Sequence, residues 1–228
     1  MKQQTITSPF ILINLKAYQE SLGRKAHVIA AAAEQVSEDS GIMIGICPMY
    51  MDIHPINHHY NIPVFAQHIN PIKDGAYTGM ISAHSVRIAG ACGSLINHSE
   101  NRQTLADIEL CVRLLREENM WSCVCTNNVA STHAAAAYNP DFVAIEPPEL
   151  IGSGVSVSKA NPEIIKESVA AAKSISPNIR VLTGAGISTG QCVKTALDLG
   201  SDGVLLASGV VKASDPEAAL RELISLIS

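Results

Sequence analysis

The sequence predicts a single α/β domain, a (β/α)8 barrel that spans residues 1–228. Eight short apolar runs recur along the chain, and helix-like stretches separate them, which favours parallel β/α units. The length of 228 residues is close to that of one such barrel. An open doubly wound sheet is the alternative. Eight units without a polar-faced edge strand favour the closed barrel.

Each predicted strand is about five residues long and nearly all apolar, which is typical of a strand buried on both faces. The eight segments are residues 10–14, 43–47, 64–67, 93–97, 121–125, 142–146, 179–183 and 203–207. Between them, residues 105–118 show the apolar spacing of a helix. Asn161-Pro162 and Asp215-Pro216 are predicted helix starts, and Gly90 and Gly200 predicted helix ends.

The composition excludes several classes of function. A formal net charge of -5 argues against a general nucleic-acid or membrane-surface binder, because both need basic fields. No segment offers the roughly 20 apolar residues that a membrane span requires. The N-terminus lacks the apolar core of a signal peptide. We therefore expect a cytoplasmic enzyme.

Cysteines and histidines are the candidate metal ligands. The cysteines are Cys47, Cys92, Cys111, Cys123, Cys125 and Cys192. They form no C-x-x-C pair, so we interpret them as small apolar residues in a reduced compartment. His54 and His58 have a helical spacing, but Pro55 lies between them and no acidic or thiol cluster is nearby in sequence. With His59 they should lie on a solvated helix face, and we predict neither a metal nor a disulfide.

Ionisable residues follow three predicted strands, at the end where the active site of such a barrel lies. Lys16 follows the first strand and His98 the fourth, and Glu146 closes the sixth. A lysine that closes an apolar strand needs an anion, either a carboxylate or a substrate oxygen. Taken alone, His98 is also compatible with a core histidine whose hydrogen bonds are satisfied.

Glu146 follows four apolar residues, so burial should raise its proton affinity toward that of a base for a carbon acid. An ion-paired structural glutamate is the alternative. The next residues favour the base. A stiff Pro147-Pro148 start and a flexible Gly152-Ser153-Gly154 end are typical of a lid with hinges at its ends.

Small residues follow the last two strands, as Gly184-Ala185-Gly186 and Ala207-Ser208-Gly209. Backbone N–H groups bind phosphate well where small side chains let the backbone come close. A tight turn is the alternative for the first segment. Its pairing with the second segment on the adjacent strand favours a phosphate site.

Together these motifs resemble those of the triosephosphate isomerase family. The matching pieces are Asn14-x-Lys16, Asn97-His98-Ser99-Glu100, Glu146-Pro147 with Ile151-Gly152-Ser153-Gly154, and the two small-residue loops. They occur in the family's order over essentially the whole chain, in a form similar to the compact archaeal branch. Two departures stand out. Asn101 replaces the arginine after Glu100, for which we expect Arg102 to substitute, and Ala207-Ser208 replaces a Gly-Gly pair.

The resemblance implies a TIM barrel enzyme of glycolysis and gluconeogenesis that interconverts dihydroxyacetone phosphate and D-glyceraldehyde 3-phosphate through an enediolate. Glu146 would be the base, His98 a neutral imidazole at the carbonyl, and Lys16 with Asn14 would stabilise the negative oxygen. The implied substrate-binding residues are Ile151, Gly152, Gly186, Ala207 and Ser208. No metal or organic cofactor is implied.

The resemblance also implies self-association as a homodimer or homotetramer. Gln67 and the Asp74–Gly79 stretch match the long loop that family members use for subunit contact, and the contact would be made through the His68–Ile81 loop.

Other functions remain as alternatives. A pentose-phosphate epimerase would need metal-binding histidines and aspartates on neighbouring strands, and the second strand ends in Cys47-Pro48. A Schiff-base aldolase would need a central lysine, and strands five to eight end in none. A non-catalytic binding barrel would be expected to lose Lys16, His98 or Glu146.

Overall fold

The computed structural model describes residues 5–150 and 156–227, and these form one barrel of eight parallel strands surrounded by helices. The strands are β1 (Phe10–Asn14), β2 (Met43–Cys47), β3 (Phe65–Ala66), β4 (Gly93–Ile96), β5 (Trp121–Thr126), β6 (Phe142–Ile145), β7 (Arg180–Thr183) and β8 (Gly203–Leu206). All eight predicted strands are confirmed. The bounds of β1 and β2 match the predicted ones, and the ends of the other strands differ from the prediction by at most one residue, as is usual where a ladder frays.

The sheet runs in the order β2-β1-β8-β7-β6-β5-β4-β3 and closes nearly completely. A bridge between Ile46 and Val64 joins the two end strands, and the Ile46 N–H donates to the Pro63 carbonyl at 2.9 Å. β3 is shorter than predicted because its first residues make only this single bridge. Pro63 has no N–H with which to extend the ladder.

Helices follow the strands on the outside of the barrel. They are α1 (Arg24–Ser40), α2 (Tyr50–His59), α3 (Ala83–Ile88), α4 (Leu105–Glu117), α5 (Val129–Ala136), α6 (Val157–Ala160), α7 (Pro162–Ile175), α8 (Gly190–Asp198), α9 (Ser208–Val211) and α10 (Pro216–Ile224). The predicted caps are confirmed. The Asn161 side chain accepts from the Ile164 N–H and that of Asp215 from the Ala218 N–H. Gly90, at φ 106°, ends α3 in a conformation that favours glycine.

The amino-terminal end of the barrel is filled by aromatic side chains. The rings of Phe65 and Phe142 lie 6.1 and 5.8 Å from that of Phe10. The Arg180 guanidinium lies 4.0 Å from the centre of the Phe142 ring and donates to the Ile6 carbonyl at 2.7 Å. Because this end is packed, a ligand has to enter at the carboxyl end of the strands.

The residues considered as metal ligands have the expected surroundings. All six cysteines are free thiols, five of them buried and Cys92 half-buried. His54, His58 and His59 are exposed on α2, as the sequence predicted. In the described ranges, no group of three or more His, Cys, Asp or Glu side chains is arranged to hold a metal ion. Within those same ranges, no helix has both the length and the apolarity needed to cross a lipid bilayer.

Candidate active site

The end of β1 places Asn14 and Lys16 at the mouth of the barrel. The Asn14 side chain is buried, and its Oδ1 accepts from the Lys16 N–H at 3.0 Å. Lys16 has a φ of 51°, a left-handed conformation that this local hydrogen bond helps to hold. The Gln67 amide donates to the carbonyls of Lys16 at 2.9 Å and Cys47 at 3.0 Å. Gln67, expected in the subunit-contact loop, therefore braces this turn within its own chain.

Lys16 is paired with a carboxylate, one of the two kinds of anion that the sequence left open. Its Nζ lies 2.6 Å from Glu100 Oε1, and the two side chains are 12% and 55% exposed. The expected substitution of Arg102 for the missing arginine is not observed. Arg102 is exposed, and no acidic group in the described part of the chain lies within ion-pair distance of it. Instead, Lys16, which follows β1, forms the ion pair with Glu100.

His98 follows β4 in a turn that begins with Asn97. Asn97 adopts a φ of 60°, a left-handed conformation that asparagine tolerates better than most residues. Its side chain donates to the Cys125 carbonyl at 3.0 Å and accepts from the Gln103 N–H at 2.9 Å. These bonds fix the direction in which His98 leaves the strand.

The imidazole of His98 is buried and has a defined tautomer. The Glu100 N–H donates to His98 Nδ1 at 3.2 Å, which requires that Nδ1 carries no proton. A neutral His98 therefore carries its proton on Nε2. That atom faces the barrel interior, 3.6 Å from Glu146 Oε2.

Glu146 lies just beyond β6, where its N–H donates to the Thr126 carbonyl at 2.8 Å. The side chain is buried, and burial raises the pKa of the carboxyl above its ordinary value of 4.5. His98, a hydrogen bond from the Cys125 thiol, and Lys16 oppose this shift and lower the pKa. Among the described residues Oε2 has no hydrogen-bond partner. A buried, unpartnered carboxylate oxygen is costly, and it is available to accept a proton.

Gly184, at the end of β7, makes room for this carboxylate. A Cβ at position 184 would lie 2.4 Å from Glu146 Cγ and 2.8 Å from its Oε1, so a larger residue here would displace the Glu146 side chain. The sequence had assigned Gly184 to a phosphate-binding turn. The structure gives it a different role from its neighbour Gly186, which has a φ of 70° and lines the pocket.

The small-residue loops and the ionisable residues line one pocket of about 160 Å³. Its lining includes Asn14, Lys16, Tyr18, His98, Glu146, Gly186, Ala207 and Ser208. Sites for drug-sized ligands are larger, about 300–1,000 Å³, so this pocket suits a small molecule. Ser208 lies in the first turn of α9, where backbone N–H groups have no partner within the helix. Ile151 and Gly152, also expected here, lie outside the described residues.

Four residues of this site were missed as such in the sequence: Gln67, Cys125 and Gly184, which support it, and Tyr18, which lines it. Each lies at or near the carboxyl end of a strand, which is the signal that could have found them. Their residue types alone carry no such signal, because amides, thiols and glycines are common at strand ends.

Comparisons with known proteins identify the family of the chain. The family model described as triosephosphate isomerase matches residues 9–227. The triosephosphate isomerase of Methanoculleus marisnigri is 62% identical over 220 residues, which cover 96% of this chain and 99% of the relative. Those of Methanothermus fervidus and Methanocaldococcus jannaschii are 54% and 52% identical over 217 residues, or 95% of this chain and 98% and 99% of the relatives. The chain belongs to the triosephosphate isomerase family, as a (β/α)8 barrel similar to its archaeal members.

Proposed function

We propose that Glu146 is the base in the reaction of this isomerase, the interconversion of dihydroxyacetone phosphate and D-glyceraldehyde 3-phosphate. The observation that supports this role is the buried carboxylate, whose unpartnered Oε2 lies 3.6 Å from His98 Nε2. Glu146 removes a proton from C1 of the ketose and returns it to C2 of the enediolate. Burial favours this exchange because it raises the pKa of the carboxyl group in the direction of neutral pH.

The other polar groups stabilise the oxygen that becomes negative during proton removal. His98 donates from Nε2 to the carbonyl oxygen, and it does so as a neutral imidazole because Nδ1 is held as an acceptor. Lys16 contributes its positive charge, and Asn14 holds the Lys16 turn in place through its Oδ1. Each step is a proton transfer or a hydrogen bond that these side chains supply, so the proposed mechanism includes no cofactor.

The phosphate group of the substrate is held by backbone N–H groups of Gly186, Ala207 and Ser208. The two loops line the pocket beside Glu146, and their small residues leave the backbone accessible. The family resemblance adds Ile151 and Gly152 to this set. We also infer that the enzyme acts in the cytoplasm, because its proposed substrate is a soluble triose phosphate of central metabolism. Cell fractionation with an antibody against the chain would test this location.

The raised pKa of Glu146 gives a direct test of the base. Because burial raises it, the carboxyl should titrate above 4.5, so the base is lost as the pH falls through this raised value. A ¹³C NMR titration of labelled glutamate side chains would measure this pKa, with the signal assigned by its absence in Glu146→Gln. Exposed glutamates such as Glu163 serve as controls in the same spectrum. A Glu146 signal that titrates at or below 4.5 would contradict the proposal.

We also infer that residues 68–81 mediate self-association as a homodimer or homotetramer. Residues 73–80 are all exposed, and they include the large apolar side chains of Tyr77 and Met80, each 50% exposed. The stretch is held in place at its base, where the Asn70 N–H donates to the Ile81 carbonyl at 2.8 Å. An apolar projection on a fixed base is suited to insertion into a second copy of the chain.

Tyr77→Asp is expected to weaken this assembly. A carboxylate buried in an apolar contact should raise the dissociation constant about a hundredfold. Sedimentation velocity would show a smaller species than the wild type at the same concentration. Met51→Asp is the matched control, because Met51 is 72% exposed on α2 and lies outside the segment. An unchanged assembly in Tyr77→Asp, or a monomeric wild type, would refute the inference.

A further inference from the structure

The charges that line the active-site pocket do not favour a phosphate. Among its described lining residues, Lys16 and Glu146 carry a formal charge, and these charges are opposite. Lys16 is moreover held by Glu100 at 2.6 Å. A phosphate dianion therefore enters a pocket whose positive charge is already balanced. Backbone N–H groups supply partial charges only, so a further cation nearby would add to its attraction.

Lys212 is a cation in contact with two residues that line this pocket. It follows α9 directly, and its N–H donates to the carbonyl of Ser208, a pocket residue, at 3.1 Å. Its Nζ lies 4.5 Å from the centre of the Tyr18 ring. Tyr18 lines the pocket and packs against the main hydrophobic core, so it is a fixed support for the ammonium.

The charge of Lys212 is not neutralised by a neighbouring acid. Lys212 is exposed, and no carboxylate of the described chain lies within 4.0 Å of its Nζ. Two exposed lysines elsewhere are paired, Lys194 with Asp198 at 3.2 Å and Lys166 with Glu163 at 2.9 Å. Exposed Lys25 and Lys159 resemble Lys212 in having no carboxylate of the described chain within 4.0 Å, so what distinguishes Lys212 is its position beside Tyr18 and α9. An unpaired ammonium over an aromatic ring therefore adds a net positive charge beside the pocket.

We infer that Lys212, supported by Tyr18, is a substrate-binding residue that attracts the phosphate group of the triose phosphate to the loops after β7 and β8. This inference rests on the proposed phosphate site and adds a specific cation to it. Lys212 acts through its charge alone, and no proton or covalent bond is transferred. Its effect should fall mainly on the capture of substrate, and it should weaken with salt as exposed charges do.

The test compares Lys212→Gln with Lys212→Arg in steady-state kinetics, and uses inorganic phosphate as a competitive inhibitor. At low ionic strength, Lys212→Gln should raise both KM and the inhibition constant of phosphate about fivefold, with a smaller change in kcat. Lys212→Arg keeps the charge and should restore most of both values. The difference between the glutamine variant and the wild type should shrink at about 1 M salt, where the screening length is about 3 Å.

Variants of Tyr18 test the support. Tyr18→Leu removes the ring and should shift KM and the phosphate inhibition constant in the same direction as Lys212→Gln, whereas Tyr18→Phe keeps the ring and should shift them less. Lys194→Gln is the control for loss of one exposed lysine. If Lys212→Gln resembles Lys194→Gln in both constants, or if its effect is independent of salt, the inference is wrong. That failure would leave the Glu146 proposal intact, since the base is tested by its own titration.

Discussion

Glu146→Asp is expected to lower kcat by about a hundredfold or more, with only a small change in KM, because misplacing a catalytic group by about 1 Å costs this much. Aspartate keeps the carboxylate but withdraws it by one methylene from the position that faces His98 Nε2 at 3.6 Å. Substrate binding depends on the loops after β7 and β8, which the substitution leaves in place. Steady-state kinetics in both directions would separate the two constants.

The control for this change is Glu163→Asp, which makes the same substitution at an exposed position on α7. It should leave both constants at wild-type values. Glu146→Gln removes the negative charge at nearly constant volume and should lower kcat further than aspartate does. Near wild-type turnover in Glu146→Asp would mean that another group removes the proton.

The sequence predicted the barrel well because the signal for it is local. Each strand is an apolar run that can be recognised without its neighbours, and the caps at Asn161 and Asp215 depend on residues a few positions away. The principal site residues were also predicted from their position along the chain, because Lys16, His98 and Glu146 each come within two residues of the end of a strand. In a barrel of this kind, position after a strand is enough to bring such residues to one end.

The contacts between these residues could not be predicted in the same way. The partner of Lys16 is Glu100, which is 84 positions away, and the sequence left open whether that partner is a protein carboxylate or a substrate oxygen. Arg102 was expected to enter an ion pair and instead lies exposed, because the direction of a side chain depends on the turn that carries it. Gln67 was read as part of a contact loop, although its amide faces inward to Lys16.

The role of Gly184 was hidden for a related reason. In the sequence it stands next to Ala185 and Gly186, and a run of small residues after the seventh strand indicates a phosphate loop. Its actual neighbour is the side chain of Glu146 on the adjacent strand, which is visible only once β6 and β7 are paired with Ile145 beside Thr183. A small residue can thus have either of two roles: it can let a ligand approach the backbone, or it can leave space for a neighbouring side chain. Only the pairing of the strands shows which role a given residue has.

This close contact leads to a second large expected effect. Gly184→Ala should reduce kcat on the order of a hundredfold, because a displaced base costs as much as a shortened one. The new Cβ would lie 2.4 Å from Glu146 Cγ and 2.8 Å from Cδ, well inside the distance at which such atoms can pack. Gly184 does not have a positive φ, so its backbone accepts alanine without strain and the conflict falls on the Glu146 side chain.

Two measurements separate a displaced base from a damaged fold. The thermal midpoint of Gly184→Ala should fall by only a few degrees, since a side chain at the pocket can move toward solvent. The ¹³C titration of Glu146 should move toward 4.5 in the variant, because burial is the main cause of its raised pKa and displacement reduces that burial. Ser174→Ala, at an exposed position on α7 outside both the pocket and residues 68–81, is the control and should change neither the pKa nor kcat. Unchanged turnover in Gly184→Ala would show that Glu146 has room that its contacts do not reveal. A large loss of turnover with the Glu146 pKa still raised would show that alanine acts on the pocket without moving the base.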